Sequence, residues 1–150
     1  MGTGSDSTRG VAFTLPSPPP SMNSMYNVLF GMRMVELKPE VRLYKTQMKV
    51  YVPGLRVEEK DRVGIELLVE QDWYCKNGAM KKQDVQNMAK VLIDLIAEKQ
   101  GWDDSHVWEM TLRKVQSKER SQVIGKVWVL NEGTNYCGSV GVAGPQDVGV

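Results

Sequence analysis

Hydrophobic and polar positions along the chain predict several short strands. Each is a run of about four to ten residues that is apolar throughout or alternates with polar residues, and turn-forming residues separate the runs. The polar stretch Ser117–Ser121 divides the last two runs, which predicts that they form a hairpin. The predicted strands are Val11–Leu15, a strand or hairpin over Val28–Glu36, Val63–Glu70, Val107–Val115 and Gln122–Leu130.

Two segments have the three- and four-residue spacing of amphipathic helices. The longer one has Asp84 as a good N-cap and Gly101 as a good terminator. Its apolar face is formed by Val85, Met88, Ala89, Leu92, Leu95 and Ile96. A shorter helix begins at Pro39, with inward positions Val41, Tyr44, Lys45 and Met48. With the strands, these helices predict an α+β fold with a mixed β-sheet.

The two ends of the chain differ in composition from its middle. Residues 1–10 are small and polar, which predicts a disordered lead-in. Residues 131–150 are rich in glycine, which predicts a flexible tail. A chain of 150 residues typically holds one domain, and we expect that domain to span residues 11–130.

Composition excludes several classes of protein. The apolar runs are far shorter than the roughly 20 residues that cross a bilayer, so we expect a soluble cytoplasmic protein with no membrane partner. One histidine and two cysteines are too few for a zinc site within one chain. Nothing around His106 resembles a catalytic triad, and no motif predicts an organic cofactor.

Charge is balanced in total but uneven along the chain. The net charge is +1, which by itself gives no indication of nucleic acid. Cations nevertheless cluster around Asp84 and again around Glu119, a distribution that suits a phosphate substrate with a metal ion. Lysines on an ordinary solvated surface are an equally valid interpretation. The clustered cations are Lys76, Lys81, Lys82 and Lys90, then Arg113, Lys114, Lys118, Arg120 and Lys126.

Aspartates at both ends of the longer helix are candidate metal ligands. Asp84 precedes the helix, and Asp103 and Asp104 follow it. Mg²⁺ binds one or two carboxylates, several waters and phosphate oxygens, and Lys90 could neutralise charge on a phosphate. On spacing alone, an aspartate before a helix is more often only a cap, and an aspartate pair after one is more often a turn.

Three motifs in order resemble the RusA-like family of Holliday junction resolvases. The first is Leu15–Asn23, LPSPPPSMN, which is similar to a Pro-Pro-Ser-x-Asn element of the family. The second is Lys81–Lys90, KKQDVQNMAK, in which a basic run leads into an aspartate, an asparagine and a lysine, with Asp94 one turn further on. The third is Gly101–Val107, GWDDSHV, in which an aspartate pair opens a strand. The resemblance covers about residues 11–130.

The resemblance implies a dimeric endonuclease, of bacterial or phage origin, that nicks four-way DNA junctions with Mg²⁺ or Mn²⁺ in recombination and repair. By position, Asp84 and Asp104 match metal-binding catalytic aspartates, Lys90 the catalytic lysine, and Asp103 the first acid of the pair. We expect Asp84 and Asp104 to share one ion. Asn87 and Asp94 match recurrent residues of the family. The residues expected to bind DNA are Lys76, Lys81, Lys82, Arg113, Lys114, Lys118 and Arg120.

Gln86 departs from this pattern, because the family has an aspartate there. A glutamine contributes no negative charge to a metal site, so Asp103, Asp94 or Asp72 would have to substitute. The alternative is a catalytically impaired protein that still binds junctions or other DNA on the same scaffold. A plain interaction module is a third and weaker interpretation.

Overall fold

A computed structural model describes residues 9–20, 26–29 and 34–130, with side chains for 9–20 and 38–130. These residues form an α+β domain with a four-stranded mixed sheet, a separate two-stranded sheet and two α-helices. The strands are β1 Gly10–Leu15, β2 Tyr26–Leu29, β3 Met34–Leu37, β4 Val63–Gln71, β5 Val107–Gln116 and β6 Gln122–Val129, and the helices are α1 Pro39–Met48 and α2 Val85–Gln100.

The four-stranded sheet has the order β1–β6–β4–β5. β6 is antiparallel to both β1 and β4, whereas β5 is parallel to β4. The predicted hairpin of the last two strands is therefore wrong, because β4 lies between β5 and β6. β4 is hydrogen-bonded along both edges, and its Ile65, Leu67 and Val69 side chains are fully buried, as suits a central strand. Residues 117–121 consequently cross one end of it.

One face of this sheet and the two helices enclose the core. Ile65, Leu67 and Val69 of β4 are fully buried, and Val123 and Val127 of β6 lie on the same face. Residues of β1, α1 and α2 complete the same buried cluster. The opposite face carries alternate positions, among them Glu66 opposite Lys126, and no described helix covers it.

Both helices follow the predicted faces. Asp84 caps α2 by accepting a hydrogen bond from the backbone N–H of Gln86, and Gly101 ends the helix in the left-handed conformation, with φ 83°. In α1 the four predicted inward positions are buried, including Lys45. Its ammonium group donates to Glu98 of α2 at 2.5 Å, so a charge that faces the core is paired across the two helices.

The β4–α2–β5 unit fixes which end of the sheet each motif occupies. Two parallel neighbouring strands require the connection to return along the sheet, so α2 runs antiparallel to both. At one end, Gln71 of β4 donates to Gln83, the residue before Asp84, at 2.6 Å. At the other, His106 Nδ1 donates to the carbonyl of Asp61, just before β4, at 2.9 Å. The start and end of α2 therefore lie at opposite ends of the sheet.

The remaining boundaries agree with the sequence patterns to within a few residues. β2 and β3 pair antiparallel, which agrees with the hairpin alternative of the strand or hairpin expected over Val28–Glu36. β1 begins at Gly10, inside the predicted lead-in. The predicted tail, the first eight residues and the Ser21–Asn23 part of the proline motif lie outside the described residues. Among the described helices, none is both long and apolar enough to span a membrane.

Candidate functional site

The amino terminus of α2 carries the first candidate acid. Asp84 is exposed, and one of its carboxylate oxygens accepts the Gln86 N–H at 2.9 Å. Because a carboxylate has about four acceptor positions, this cap leaves most of Asp84 available to a ligand. Gln86, the second residue of α2, also has an exposed side chain. An acid at that position would lie beside Asp84 and near the positive end of the helix dipole.

Residues 117–121 form a crossing loop over the end of β4, close to the start of α2. Ser117 begins this crossing loop by donating its N–H to the carbonyl of Gln71 at 2.9 Å. Its hydroxyl then accepts the N–H groups of Glu119 and Arg120 at 3.2 and 3.0 Å, which tightens the turn. An open cleft of about 320 Å³ lies beneath it, lined by Gln71, Asp72, Lys81, Gln83 and the crossing loop.

Cations outnumber anions in this cleft. Lys81, Lys118 and Arg120 line it together with Asp72 and Glu119. Hydrogen bonds from the Gln116 amide and the Tyr74 N–H lower the pKa of Asp72, and the nearby Lys81 and Lys118 charges act in the same direction. Asp72 is thus a fixed anion inside a basic rim. Such a rim suits a phosphate group.

The other predicted DNA-binding cations divide among three places. Lys76 and Lys82 are exposed on the loop between β4 and α2, at the same end of the sheet as the cleft. Lys114 lies over the buried Trp73 ring, with its ammonium 4.6 Å from the ring centre. Arg113 pairs with Leu68 and points to the face of the sheet away from the helices. The seven residues therefore do not form one continuous patch.

Further along α2, Asn87, Lys90 and Asp94 share one face. Lys90 is exposed, whereas Asp94 is half-buried. Burial raises the pKa of Asp94; Glu98 and Asp104 add to the rise, and Lys45 opposes it. Asp94 thus belongs to the charged group around Lys45, so its position favours a structural role.

The aspartate pair lies beyond the other end of α2. Asp103 accepts hydrogen bonds from the Ser105 N–H, at 2.8 Å, and from the Ser105 hydroxyl, and these bonds lower its pKa. It caps the short 3₁₀ turn Asp104–His106. Asp104 itself is exposed and close enough to Asp94 for its charge to act there. His106 anchors this turn to Asp61, two residues before β4, and is an ordinary structural histidine.

One chain does not bring the two matched acids together. The sixteen residues of α2 lie between Asp84 and Asp104, a helix about 24 Å long at 1.5 Å per residue. Oxygens bound to one Mg²⁺ at roughly 2.1 Å lie within a few ångströms of each other, so these two carboxylates cannot share an ion within one protomer. Within residues 9–20, 26–29 and 34–130, no group of three or more His, Cys, Asp or Glu side chains could hold a metal.

Of the three acids considered as substitutes for the missing carboxylate at position 86, only Asp72 lies at the same end of the sheet as Asp84. Asp103 and Asp94 lie towards the other end, with Asp104. The cleft beside Asp72 was not predicted, because it depends on the crossing of β4 by residues 117–121. The ion pair between buried Lys45 and exposed Glu98 was also missed, although a lysine at an inward helical position was a visible signal.

Comparison with known proteins adds no family assignment, since neither the protein-family models nor the curated proteins contain a match to this chain.

Proposed function

We propose that this protein is a metal-dependent endonuclease that resolves four-way DNA junctions, as the resemblance to RusA-like resolvases implies. The observation that carries the proposal is the basic cleft at the start of α2. There, Lys81, Lys118 and Arg120 line a cleft that also includes Gln83, the residue before the Asp84 cap of α2. The structure-specific substrate and the paired nicks rest on the resemblance alone.

Metal binding in this proposal requires two copies of the chain. Asp84 and Asp104 lie at opposite ends of α2, so a two-fold dimer that places two such helices antiparallel would pair Asp84 of one copy with Asp104 of the other. A Mg²⁺ or Mn²⁺ ion held there would polarise a phosphodiester and lower the pKa of an attacking water. We assign no step to a single protomer, because its described residues form no metal-binding group of three.

Two further residues have roles in this proposal. Lys90 is exposed on α2, six residues after Asp84 and about 9 Å further along the helix axis, where its flexible side chain can approach a phosphate near Asp84. Asp72 is an anion at the end of the sheet where α2 starts, and it is a candidate replacement for the carboxylate that Gln86 lacks. Both roles place the reacting phosphate at the cleft.

A second candidate function is DNA binding without cleavage. It is favoured by Gln86, an exposed neutral side chain where the family pattern has an acid. Asp84 and Asp103 cap a helix and a turn and would be useful without catalysis. The argument against this function is therefore the presence of Lys90 and Asp104, which match the family pattern and have no capping role.

The two functions are separated by incubating the protein with a synthetic four-way junction, with and without Mg²⁺ or Mn²⁺. We expect metal-dependent nicks from the wild type, and more from Gln86→Asp at low Mg²⁺, because another negative ligand strengthens ion binding in a partly desolvated site. Asp84→Asn should abolish cleavage but keep junction binding, since asparagine also caps helices. Gln86→Ala is the matched control and should cut like the wild type.

If neither the wild type nor Gln86→Asp cuts any branched DNA with either metal, the nuclease is excluded. Retained junction binding in the same samples would then support the second candidate function.

A further inference from the structure

β5 is a long and exposed strand at the edge of the sheet. It has ten residues, and among the described strands it pairs only with β4. Trp108 and Met110 are 59% and 51% exposed on it, and most of its other side chains are exposed too. Edge strands present unpaired N–H and C=O groups, and a long edge that carries exposed apolar side chains is a template for pairing with another strand.

The sequence of β5 is complementary to itself when reversed. If two copies pair antiparallel with a two-fold axis at Thr111, Glu109 faces Arg113 of the second copy, and Met110 faces Leu112. Both contacts occur twice by symmetry. Trp108 then faces Lys114. In each pair the two residue numbers are both even or both odd, so the facing side chains lie on the same face of the sheet. The helices of both copies are therefore on one side of it.

Charge selects this register over its neighbours. An axis at Glu109 would place two glutamates opposite each other, and an axis at Arg113 would do the same with two arginines. An axis at Met110 or Leu112 would leave Glu109 and Arg113 without an oppositely charged partner. The window from Glu109 to Arg113 also lies after the irregularity between Val63 and Gly64, in the part of β5 whose register with β4 is continuous.

We propose that two copies of this chain associate through antiparallel pairing of β5, centred on Thr111, to form a continuous eight-stranded sheet. The inference deepens the homodimer of the proposed function by naming its surface, although the edge strand carries the argument without reference to DNA. The pairing places α2 antiparallel to its counterpart, so the capped end of one helix and the Asp104 end of the other lie at the same end of the sheet.

Charge reversal at the two facing positions tests the pairing. We expect the wild type to sediment as a dimer, at twice the 16.9 kDa chain mass. Glu109→Arg or Arg113→Glu alone should weaken self-association roughly tenfold or more, because each change creates two like-charge contacts. The double variant restores opposite charges and should dimerise like the wild type. Lys118→Glu, an exposed charge reversal outside β5, is the control and should have no effect.

A second measurement tests the axis directly. In a Cys75→Ser, Cys137→Ser background, Thr111→Cys should form an intermolecular disulfide under mild oxidation. Facing residues of antiparallel strands have Cα atoms about 4.5–5.5 Å apart, which is within disulfide range. Lys126→Cys, on the exposed side of the central strand β6, should not cross-link.

A wild type that stays monomeric at high micromolar concentration overturns the proposal. So does a dimer that tolerates both single reversals, or one that the double variant fails to restore. None of these samples contains DNA or metal, so loss of this interface and failure of the nuclease assay are separate results.

Discussion

At the scale of single residues, the group around Lys45 shows how one inward lysine organises several acids. Lys45 is only 7% exposed, and Glu98 accepts hydrogen bonds from both Lys45 and Lys49. Burial alone would raise the pKa of Glu98, but these two lysines lower it overall. Asp94 lies beside the same group, and burial raises its pKa although the Lys45 charge opposes the rise. The contributions of these two neighbouring acids to folding stability therefore change with pH in opposite directions.

Asp94→Asn should stabilise the fold at neutral pH. Because burial raises the pKa of Asp94 in the folded state, the folded state binds more protons than the unfolded state above the ordinary aspartate pKa of about 3.9. The Asp94 contribution is therefore most favourable at low pH and is lost as pH rises through the raised pKa. In urea unfolding, Asp94→Asn should have a higher free energy of unfolding than the wild type at pH 7. This gain should disappear when the pH falls below the ordinary aspartate pKa.

Glu98→Gln should have the opposite effect. It should lower the free energy of unfolding by about 1–2 kcal/mol at pH 7, because Lys45 loses its charged partner. Equal responses of the two variants at pH 7 would contradict this assignment of the acids.

At the scale of elements, the sheet depends on close approach between its strands. Gly125 of β6 lies opposite Phe13 of β1, and a Cβ at Gly125 would be 2.5 Å from the Phe13 ring. The ring is buried against the core, so it has little room to move. This contact helps to explain why β6 accepts β1 as a neighbour in addition to β4.

Gly125→Ala should therefore destabilise the protein by about 1–3 kcal/mol through overpacking. Chemical denaturation measures the loss, and Phe13→Leu in the same background should recover part of it. The control is Gly54→Ala, where a Cβ meets nothing within 4 Å. Equal stability of the Gly125 and Gly54 variants would show that the ring does not restrict the position.

At the scale of the whole molecule, cations on separate segments meet because residues 117–121 cross β4. Lys81 precedes α2, whereas Lys118 and Arg120 come more than 35 residues later, yet all three line one cleft. Lys126 belongs to the same basic stretch of sequence but faces Glu66 on the other side of the sheet. Phosphate binding should therefore depend on position in the fold and not on total charge, which is only +1.

Junction affinity should exceed the affinity for linear duplex of equal length, and it should fall steeply as salt rises. Each phosphate contact that is lost reduces the salt slope, the steepness of log affinity against log salt concentration, by about 0.9. Lys118→Gln and Arg120→Gln should each weaken binding and lower that slope, whereas Lys126→Gln removes the same charge and should leave both unchanged. Fluorescence anisotropy across a salt series measures these effects. Equal affinity for junction and duplex would leave only general DNA binding.

The sequence by itself determined the local elements, because capping, turns and hydrophobic spacing act between residues that are close along the chain. Asp84 and Gly101 bound α2 as predicted, and the inward face of α1 includes Lys45. Only the tertiary structure decided that β4 separates β5 from β6, that the crossing loop completes a basic cleft, and that Asp84 and Asp104 lie at opposite ends of α2. Strand order depends on which apolar faces bury one another across the whole chain, and spacing along the sequence does not contain that information.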